Sequence, residues 1–86
     1  MPTRAEIATA FADAAIEVLG ELPPDINESS AIAADVGADS LDLLEIVLVL
    51  EERFDMVVAE DDFEEVVTVG DALDRLTLLL AAEGKA

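Results

Sequence analysis

The sequence predicts an all-α protein: a four-helix bundle with a long loop after the first helix and a short third helix. Apolar residues recur at spacings of three and four in several segments, whereas no strand-like alternation extends far enough to compete. Capping residues stand at the expected helix starts, and Gly and Pro stand where helices should end. The length of 86 residues fits one domain better than two, so residues 1–86 are expected to form a single unit.

The first helix and the loop after it occupy the N-terminal part of the chain. Thr3-Arg4-Ala5-Glu6 matches a capping box and predicts the helix start. The apolar face of this helix is expected to consist of Ile7, Phe11, Ala14 and Val18. Gly20 stands where the helix should end, and Pro23-Pro24 prevents its continuation. No long periodic element follows from Glu21 to Ala38, and this loop is expected to be anchored on the core by Ile26, Ile32 and Val36.

A second helix is expected from Asp39 or Ser40, either of which can cap it, to about Phe54. Plotted at about 100° per residue, it carries two apolar stripes. The wider stripe should face the core and consists of Leu43, Ile46, Val47, Leu50 and Phe54. The second stripe consists of Leu41, Leu44 and Leu48, bordered by Asp42, Glu45, Glu51 and Glu52. Because a helix in a small bundle normally buries one stripe, the second predicts a contact surface.

Two further helices complete the predicted bundle. The short third helix is expected over Glu60 to Glu65, with Phe63 as its inward anchor. The last helix begins near Thr68-Val69-Gly70-Asp71, which resembles a capping box with Asp in place of the usual Glu. Its apolar face is expected to consist of Val69, Leu73, Leu76 and Leu80.

The charge balance restricts the class of partner. The chain has 21 acidic and four basic residues, for a formal net charge of -17. Such a field repels nucleic acid and anionic lipid and attracts basic protein surfaces, so neither nucleic acid nor a membrane is an expected partner. The chain has no Cys and no His, which excludes disulfides, Cys/His metal sites and Ser-His dyads. No metal is expected, and a monomer is predicted. A cytoplasmic location is predicted because the N-terminal segment does not read as a signal peptide and the longest uncharged run, Ile46 to Leu50, is too short to span a bilayer.

One motif carries chemistry, at the junction of the long loop and the second helix: Gly37-Ala38-Asp39-Ser40-Leu41-Asp42. Gly37 allows a sharp turn. A serine here is exposed near the positive end of the helix dipole, which would partly offset a phosphodiester attached to it. From these residues alone an ordinary helix cap is the stronger interpretation, because Asp-Ser before an apolar helix is a common capping sequence.

The wider context supports a functional interpretation. From Ser30 to Leu73 the sequence closely resembles the acyl carrier protein family, through the motif above and through Glu45, Glu51-Glu52-Arg53-Phe54-Asp55, Thr68-Val69 and Asp71-Ala72. This resemblance implies that Ser40, flanked by Asp39 and Leu41, carries a covalent 4'-phosphopantetheine arm. The thiol of that arm would hold acyl groups as thioesters. The protein would then be a discrete, non-catalytic carrier for fatty acid or polyketide enzymes.

The resemblance also implies the partners. These are a phosphopantetheinyl transferase and acyltransferases, ketosynthases or other acyl-processing enzymes with basic docking patches. Matched by position to the docking helix of the family, the docking residues are Asp42, Leu44, Glu45, Leu48, Glu51 and Glu52, together with Asp39 and Leu41. An apolar stripe ringed by carboxylates suits a basic partner with a hydrophobic socket.

The sequence departs from the family pattern at three positions. Ala59 stands where the third helix often follows a proline, and Leu43 and Phe63 stand where small residues often face the acyl cavity. The expected acyl pocket consists of Leu43, Val47, Leu50 and Phe63. Large side chains would fill part of it, which favours a short, polar or aromatic cargo of specialised metabolism, such as polyketide or antibiotic biosynthesis. The alternatives are an aminoacyl or peptidyl carrier and an unmodified acidic helical adaptor.

Overall fold

The computed structural model describes residues 2–59 and 61–83. It contains three α-helices, α1 (Arg4–Leu19), α2 (Ser40–Phe54) and α3 (Val69–Ala82), and a five-residue π-helical turn over Ile32–Val36. The predicted all-α fold with four helical segments is therefore confirmed. In this part of the chain, the one β-type pairing is an isolated bridge between Ala31 and Thr68. None of the helices described is both long and apolar enough to cross a membrane.

Two capping boxes fix the starts of α1 and α3, as the sequence predicted. The Thr3 hydroxyl accepts a hydrogen bond from the Glu6 N–H at 3.1 Å, and the Glu6 carboxylate accepts one from the Thr3 N–H at 2.8 Å. Thr68 and Asp71 repeat this arrangement at 3.1 and 3.0 Å. Gly20 ends α1 with a φ of 95°, a conformation that glycine adopts without strain.

The core lies where α1 packs against α2 and α3. Its largest fully buried side chains are Ile7, Ile46, Leu50, Leu73, Leu76 and Leu80. The predicted apolar faces of α1 and α3 are buried as expected, except that Val18 is only partly buried against the core. Leu43 and Phe54 of the wider α2 stripe are also only partly buried. Burial of each large aliphatic side chain contributes about 1.5–3 kcal/mol, so these helix faces carry most of the stabilisation.

The long loop is anchored as predicted, since Ile32 and Val36 are buried and Ile26 packs against the core. Backbone hydrogen bonds also tie it to the segment before α3. The Ile32 N–H donates to the Val67 carbonyl at 2.9 Å, and the Val69 N–H donates to the Ser30 carbonyl at 3.0 Å. The loop and the start of α3 therefore form one hydrogen-bonded unit.

Arg4 connects α1 to this hydrogen-bonded unit. The Arg4 guanidinium contacts the Glu28 carboxylate of the loop at 2.6 Å and the Asp74 carboxylate of α3 at 2.8 Å. These hydrogen bonds raise the pKa of Arg4 and hold the pKa of Glu28 below its ordinary value. The Arg4 cluster (Arg4, Glu28 and Asp74) thus joins the first turn of α1 to the loop and to α3.

The predicted short third helix is not an α-helix in the part of it that the structure describes. The sequence predicted a short helix over Glu60 to Glu65, but residues 61–65 form successive turns, and Glu60 lies outside the described residues. Hydrogen bonds here span three residues, as from the Glu64 N–H to the Asp61 carbonyl at 3.3 Å. Four of these five residues are acidic, and like charges three and four positions apart oppose a helix already too short to be stable alone. Phe63 is nevertheless buried, as its role of inward anchor required.

The π-helical turn was not predicted. The Asp35 carboxylate accepts a hydrogen bond from the Ala31 N–H at 2.7 Å, and the Val36 N–H donates to the Ala31 carbonyl at 3.0 Å. Gly37 ends the turn in the left-handed conformation, with a φ of 82°. The Ala38 N–H donates to the Ile32 carbonyl at 3.1 Å, and the buried Ala38 leads the chain toward α2.

Candidate functional site

The start of α2 is capped by Asp39 rather than by Ser40. The Asp39 carboxylate accepts a hydrogen bond from the Asp42 N–H at 2.8 Å, and the Asp42 carboxylate accepts one from the Asp39 N–H at 3.2 Å. This reciprocal pair is a capping box built from two aspartates. The sequence left open which of two residues caps the helix, and the structure assigns that role to Asp39.

Ser40 is consequently the first residue of α2, with an exposed side chain. Its hydroxyl makes no hydrogen bond to any residue that the structure describes. The hydroxyl therefore has no capping duty and is accessible from solvent. It also lies in the first helical turn, where the dipole of α2 favours negative charge.

The chain has three serines, and the other two have internal partners. The Ser29 hydroxyl donates to the Asn27 side-chain oxygen at 2.6 Å. Ser30 is buried, and its hydroxyl oxygen accepts a hydrogen bond from the Asn27 N–H at 3.0 Å. Ser40 is therefore the one serine that is both exposed and without an internal hydrogen-bond partner among the described residues.

A groove, called the α2 groove, runs from Ser40 along α2, opposite residues 58–59 and 63–64. Its volume is about 430 Å³, and most of its lining is apolar: Leu43, Leu44, Val47, Leu48, Val58 and Phe63. Three of the four residues predicted for an acyl pocket thus lie together in it. The fourth, Leu50, does not line the groove, because it is fully buried in the core.

A second groove begins at Ser40 on the other side and is called the turn groove. It lies between the π-helical turn and residues 66–67, with a volume of about 340 Å³. Small and branched apolar side chains line it, among them Ala31, Ala33, Ala34, Ala38, Val66 and Val67. Sequence reasoning missed this groove, because the bridge that brings these two segments together spans 37 positions of the chain, from Ala31 to Thr68.

The second apolar stripe of α2 is uncovered. Leu41, Leu44 and Leu48 are between 46% and 63% exposed. Leu44 and Leu48 also line the α2 groove, whereas Leu41 does not. The structure therefore places two of the three leucines at the border between the groove and the outer face of the helix.

The four acidic residues predicted beside this stripe differ in their surroundings. Glu45 and Glu52 are exposed, while Asp42 is half-buried and belongs to the cap of α2. Glu51 is also half-buried, and its carboxylate accepts a hydrogen bond from the Val58 N–H at 2.9 Å. Glu51 thus holds one wall of the α2 groove against the helix. Glu45 and Glu52 remain the exposed acids of the set.

These features meet the requirements of a phosphopantetheine site. The attached group is a phosphodiester followed by a flexible, partly apolar chain. Ser40 offers an exposed hydroxyl in the first turn of a helix, where negative charge is favoured. Two grooves lined largely by apolar side chains begin beside that hydroxyl. The Ser40 hydroxyl and the two apolar grooves beside it therefore both fit the phosphopantetheine group.

Comparison with known proteins gives the same class. The family model described as "Phosphopantetheine attachment site" matches residues 9–76. The acyl carrier protein of Sulfurovum sp. (strain NBC37-1) is 45% identical over 58 residues, which cover 67% of this chain and 77% of that protein. The acyl carrier protein of Chlamydia muridarum (strain MoPn / Nigg) is 45% identical over 58 residues, covering 67% and 75%. That of Wolinella succinogenes is 40% identical over 58 residues, covering 67% and 76%.

The fold and the site thus define a phosphopantetheine-bearing carrier. The chain belongs to the acyl carrier protein family. It is a non-catalytic carrier with 4'-phosphopantetheine attached covalently to a serine. Members of this family work with a phosphopantetheinyl transferase and with acyl-processing enzymes.

Proposed function

We propose that Ser40 bears the arm, and that the chain delivers acyl thioesters to the enzymes of a polyketide or related specialised pathway. The assignment of Ser40 depends on one observation: Asp39 caps α2, and so the Ser40 hydroxyl is left exposed and unbonded among the described residues. Fatty acid synthesis is the second pathway that the family resemblance allows. A cytoplasmic location, a monomeric state and a single domain over residues 1–86 stay predictions.

The chemistry required of Ser40 is one group transfer. The hydroxyl oxygen forms a bond to the phosphorus that bears pantetheine in coenzyme A, the bond from that phosphorus to 3',5'-ADP breaks, and the hydroxyl proton is lost. When bound, the arm supplies a thiol that holds an acyl group as a thioester.

Intact mass spectrometry tests the assignment. The chain is incubated with coenzyme A and a broad-specificity phosphopantetheinyl transferase, and a gain of one phosphopantetheine is expected. Ser40→Ala should show no gain, whereas Ser29→Ala, which removes another exposed serine hydroxyl, should gain mass as the parent does. No gain in the folded parent would favour the unmodified adaptor instead.

The cargo is proposed to be short, polar or aromatic. Leu43 and Val47 line the α2 groove beside the buried Phe63, and side chains of this size leave less room for an acyl chain than small residues would. Loading the arm with acyl chains of increasing length should raise the melting temperature only for short chains. A rise that continues through long straight chains would show a roomier pocket and would argue against this cargo.

The docking surface is proposed to be the exposed stripe of α2 with its carboxylates. Leu48 is 54% exposed, and Leu78 of α3, which is 62% exposed, offers a matched control on another helix. Leu48→Asn should lower kcat/KM for arm transfer by about tenfold, as loss of an interface anchor does. Leu78→Asn should change it little. Equal effects of both variants would mean that α2 has no special part in docking.

A further inference from the structure

Two grooves begin at Ser40, and Leu43 lines both of them. Leu43 follows Ser40 by three positions on α2 and is half-buried. Its side chain therefore stands between the α2 groove and the turn groove. An arm attached to Ser40 has access to either.

The length of the α2 groove can be compared with the reach of the arm. The α2 groove follows the helix from Ser40 to Glu51, a distance of roughly 16 Å at the rise of an α-helix. A phosphopantetheine arm has about 14 bonds from the serine oxygen to its sulfur, which gives an extended reach of about 16 Å at the per-bond length of a peptide chain. An arm laid straight along the α2 groove would fill it and place the sulfur beside Glu51. The acyl group would then lie outside the groove.

We propose that the pantoyl end of the arm lies in the turn groove, against Ala33 and Val67, and that the arm then crosses Leu43 toward the α2 groove. This inference rests on the proposed attachment at Ser40. The pantoyl group follows the phosphate directly, so it is the part of the arm nearest to the mouth of the turn groove. In this arrangement the α2 groove remains available to the acyl group.

The turn groove suits that occupant. The pantoyl group carries two methyl groups on one carbon, and the groove presents the methyl groups of alanines and valines. Val67 is 63% exposed, so a methyl-bearing ligand would cover apolar surface that now faces water. The walls are held in place by the Ile32 to Val67 hydrogen bond at 2.9 Å. The groove therefore exists before the arm is attached.

An isotope-filtered nuclear Overhauser experiment on the holo protein tests the inference. The protein is methyl-labelled with carbon-13, and the arm is transferred from unlabelled coenzyme A. Contacts are expected between the pantoyl methyl groups and the methyl groups of Ala33 and Val67. Contacts only to Leu44 or Val58 of the α2 groove would overturn the proposal, and so would the absence of contacts to the protein.

A pair of variants provides the control. Val67 and Val57 are both exposed valines outside helices, at 63% and 75%, and the N–H of each donates to a carboxylate. Val57 lines neither groove. Val67→Asp should remove the pantoyl contact to Ala33, whereas Val57→Asp should retain it. Retention in both variants would overturn the proposal.

Intact mass is measured first, because it shows whether the attachment at Ser40 or only the placement of the pantoyl group is wrong. No mass gain at Ser40 overturns the proposed function and this inference with it. A normal gain at Ser40 without pantoyl contacts in the turn groove overturns this inference alone.

Discussion

The Gly70 N–H donates to the Glu28 carbonyl oxygen at 2.8 Å, and a Cβ at position 70 would lie 3.0 Å from that same oxygen. Gly70 is the second residue of α3, where alanine would ordinarily favour the helix by about 1 kcal/mol. A side chain at position 70 therefore requires the loop backbone at Glu28 to shift by a few tenths of an ångström.

Gly70→Ala is expected to destabilise the fold despite its better helix propensity. The contact forces the loop away from α3, at a cost of about 1–3 kcal/mol typical of overpacking, which exceeds the propensity gain over most of that range. Urea unfolding measures the change, and hydrogen exchange at position 70 should quicken. A higher unfolding free energy would contradict the prediction and show that the loop yields without strain.

The roles of Asp39 and Ser40 can be separated by stability. Asp39→Ala should lower the free energy of unfolding by about 1 kcal/mol, because it removes the cap of α2. Ser40→Ala should change it by less than about 0.5 kcal/mol, because the hydroxyl has no partner among the described residues. Asp39→Asn, which keeps a capping oxygen, serves as the control in urea unfolding. An equal loss in Ser40→Ala would mean that the serine takes part in capping.

Asp71 makes stability depend on pH in a defined direction. Its carboxylate accepts hydrogen bonds from the Thr68 and Val67 N–H groups, which hold the pKa of Asp71 below its ordinary value. A lowered folded-state pKa gives stabilisation that is complete above the unfolded-state pKa of about 3.9 and is lost as pH falls through the folded-state value.

Asp71→Asn should therefore lower the free energy of unfolding at neutral pH, and its difference from the parent should shrink as pH falls below about 4. Asp61→Asn is the charge-matched control, because the Asp61 side chain lies exposed in the turn segment. Thermal unfolding across pH measures both. A difference from the parent that stays constant down to low pH would refute a role for the ionised carboxylate.

Net charge predicts a dependence on salt. The described residues extend 32 Å along their longest axis. The Debye length is about 30 Å at 0.01 M salt and about 8 Å at 0.15 M, so the excess acids repel one another across the molecule only at low salt. The melting temperature should rise between these conditions. A flat profile would mean that geometry or bound cations already relieve the repulsion.

What the sequence predicted well depends on local interactions. The capping boxes at Thr3 and Thr68 involve residues three positions apart, and each was predicted from that spacing. The burial of Leu73 and Leu76 also follows from helical periodicity alone. Such features do not need knowledge of distant segments.

What the sequence could not predict depends on distant contacts or on competing charges. The π-helical turn is held in part by the bond between Ile32 and Val67, which no local pattern reveals. Residues 61–65 form no helix because neighbouring acidic side chains repel one another. The position of an inward anchor such as Phe63 does not reveal this repulsion. Leu50 shares a stripe with Leu43, yet only Leu43 reaches the groove. The positions of the neighbouring segments decide that difference.

The Arg4 cluster has a consequence for biosynthesis. Arg4 is separated from Glu28 by 24 positions and from Asp74 by 70. At synthesis rates of about 5–20 residues per second, Asp74 is added roughly 4 to 14 s after Arg4. During that interval the guanidinium lacks its α3 partner, and the first turn of α1 is held by fewer contacts than in the finished protein. Nascent chains that stop short of α3 therefore leave this end of the bundle open.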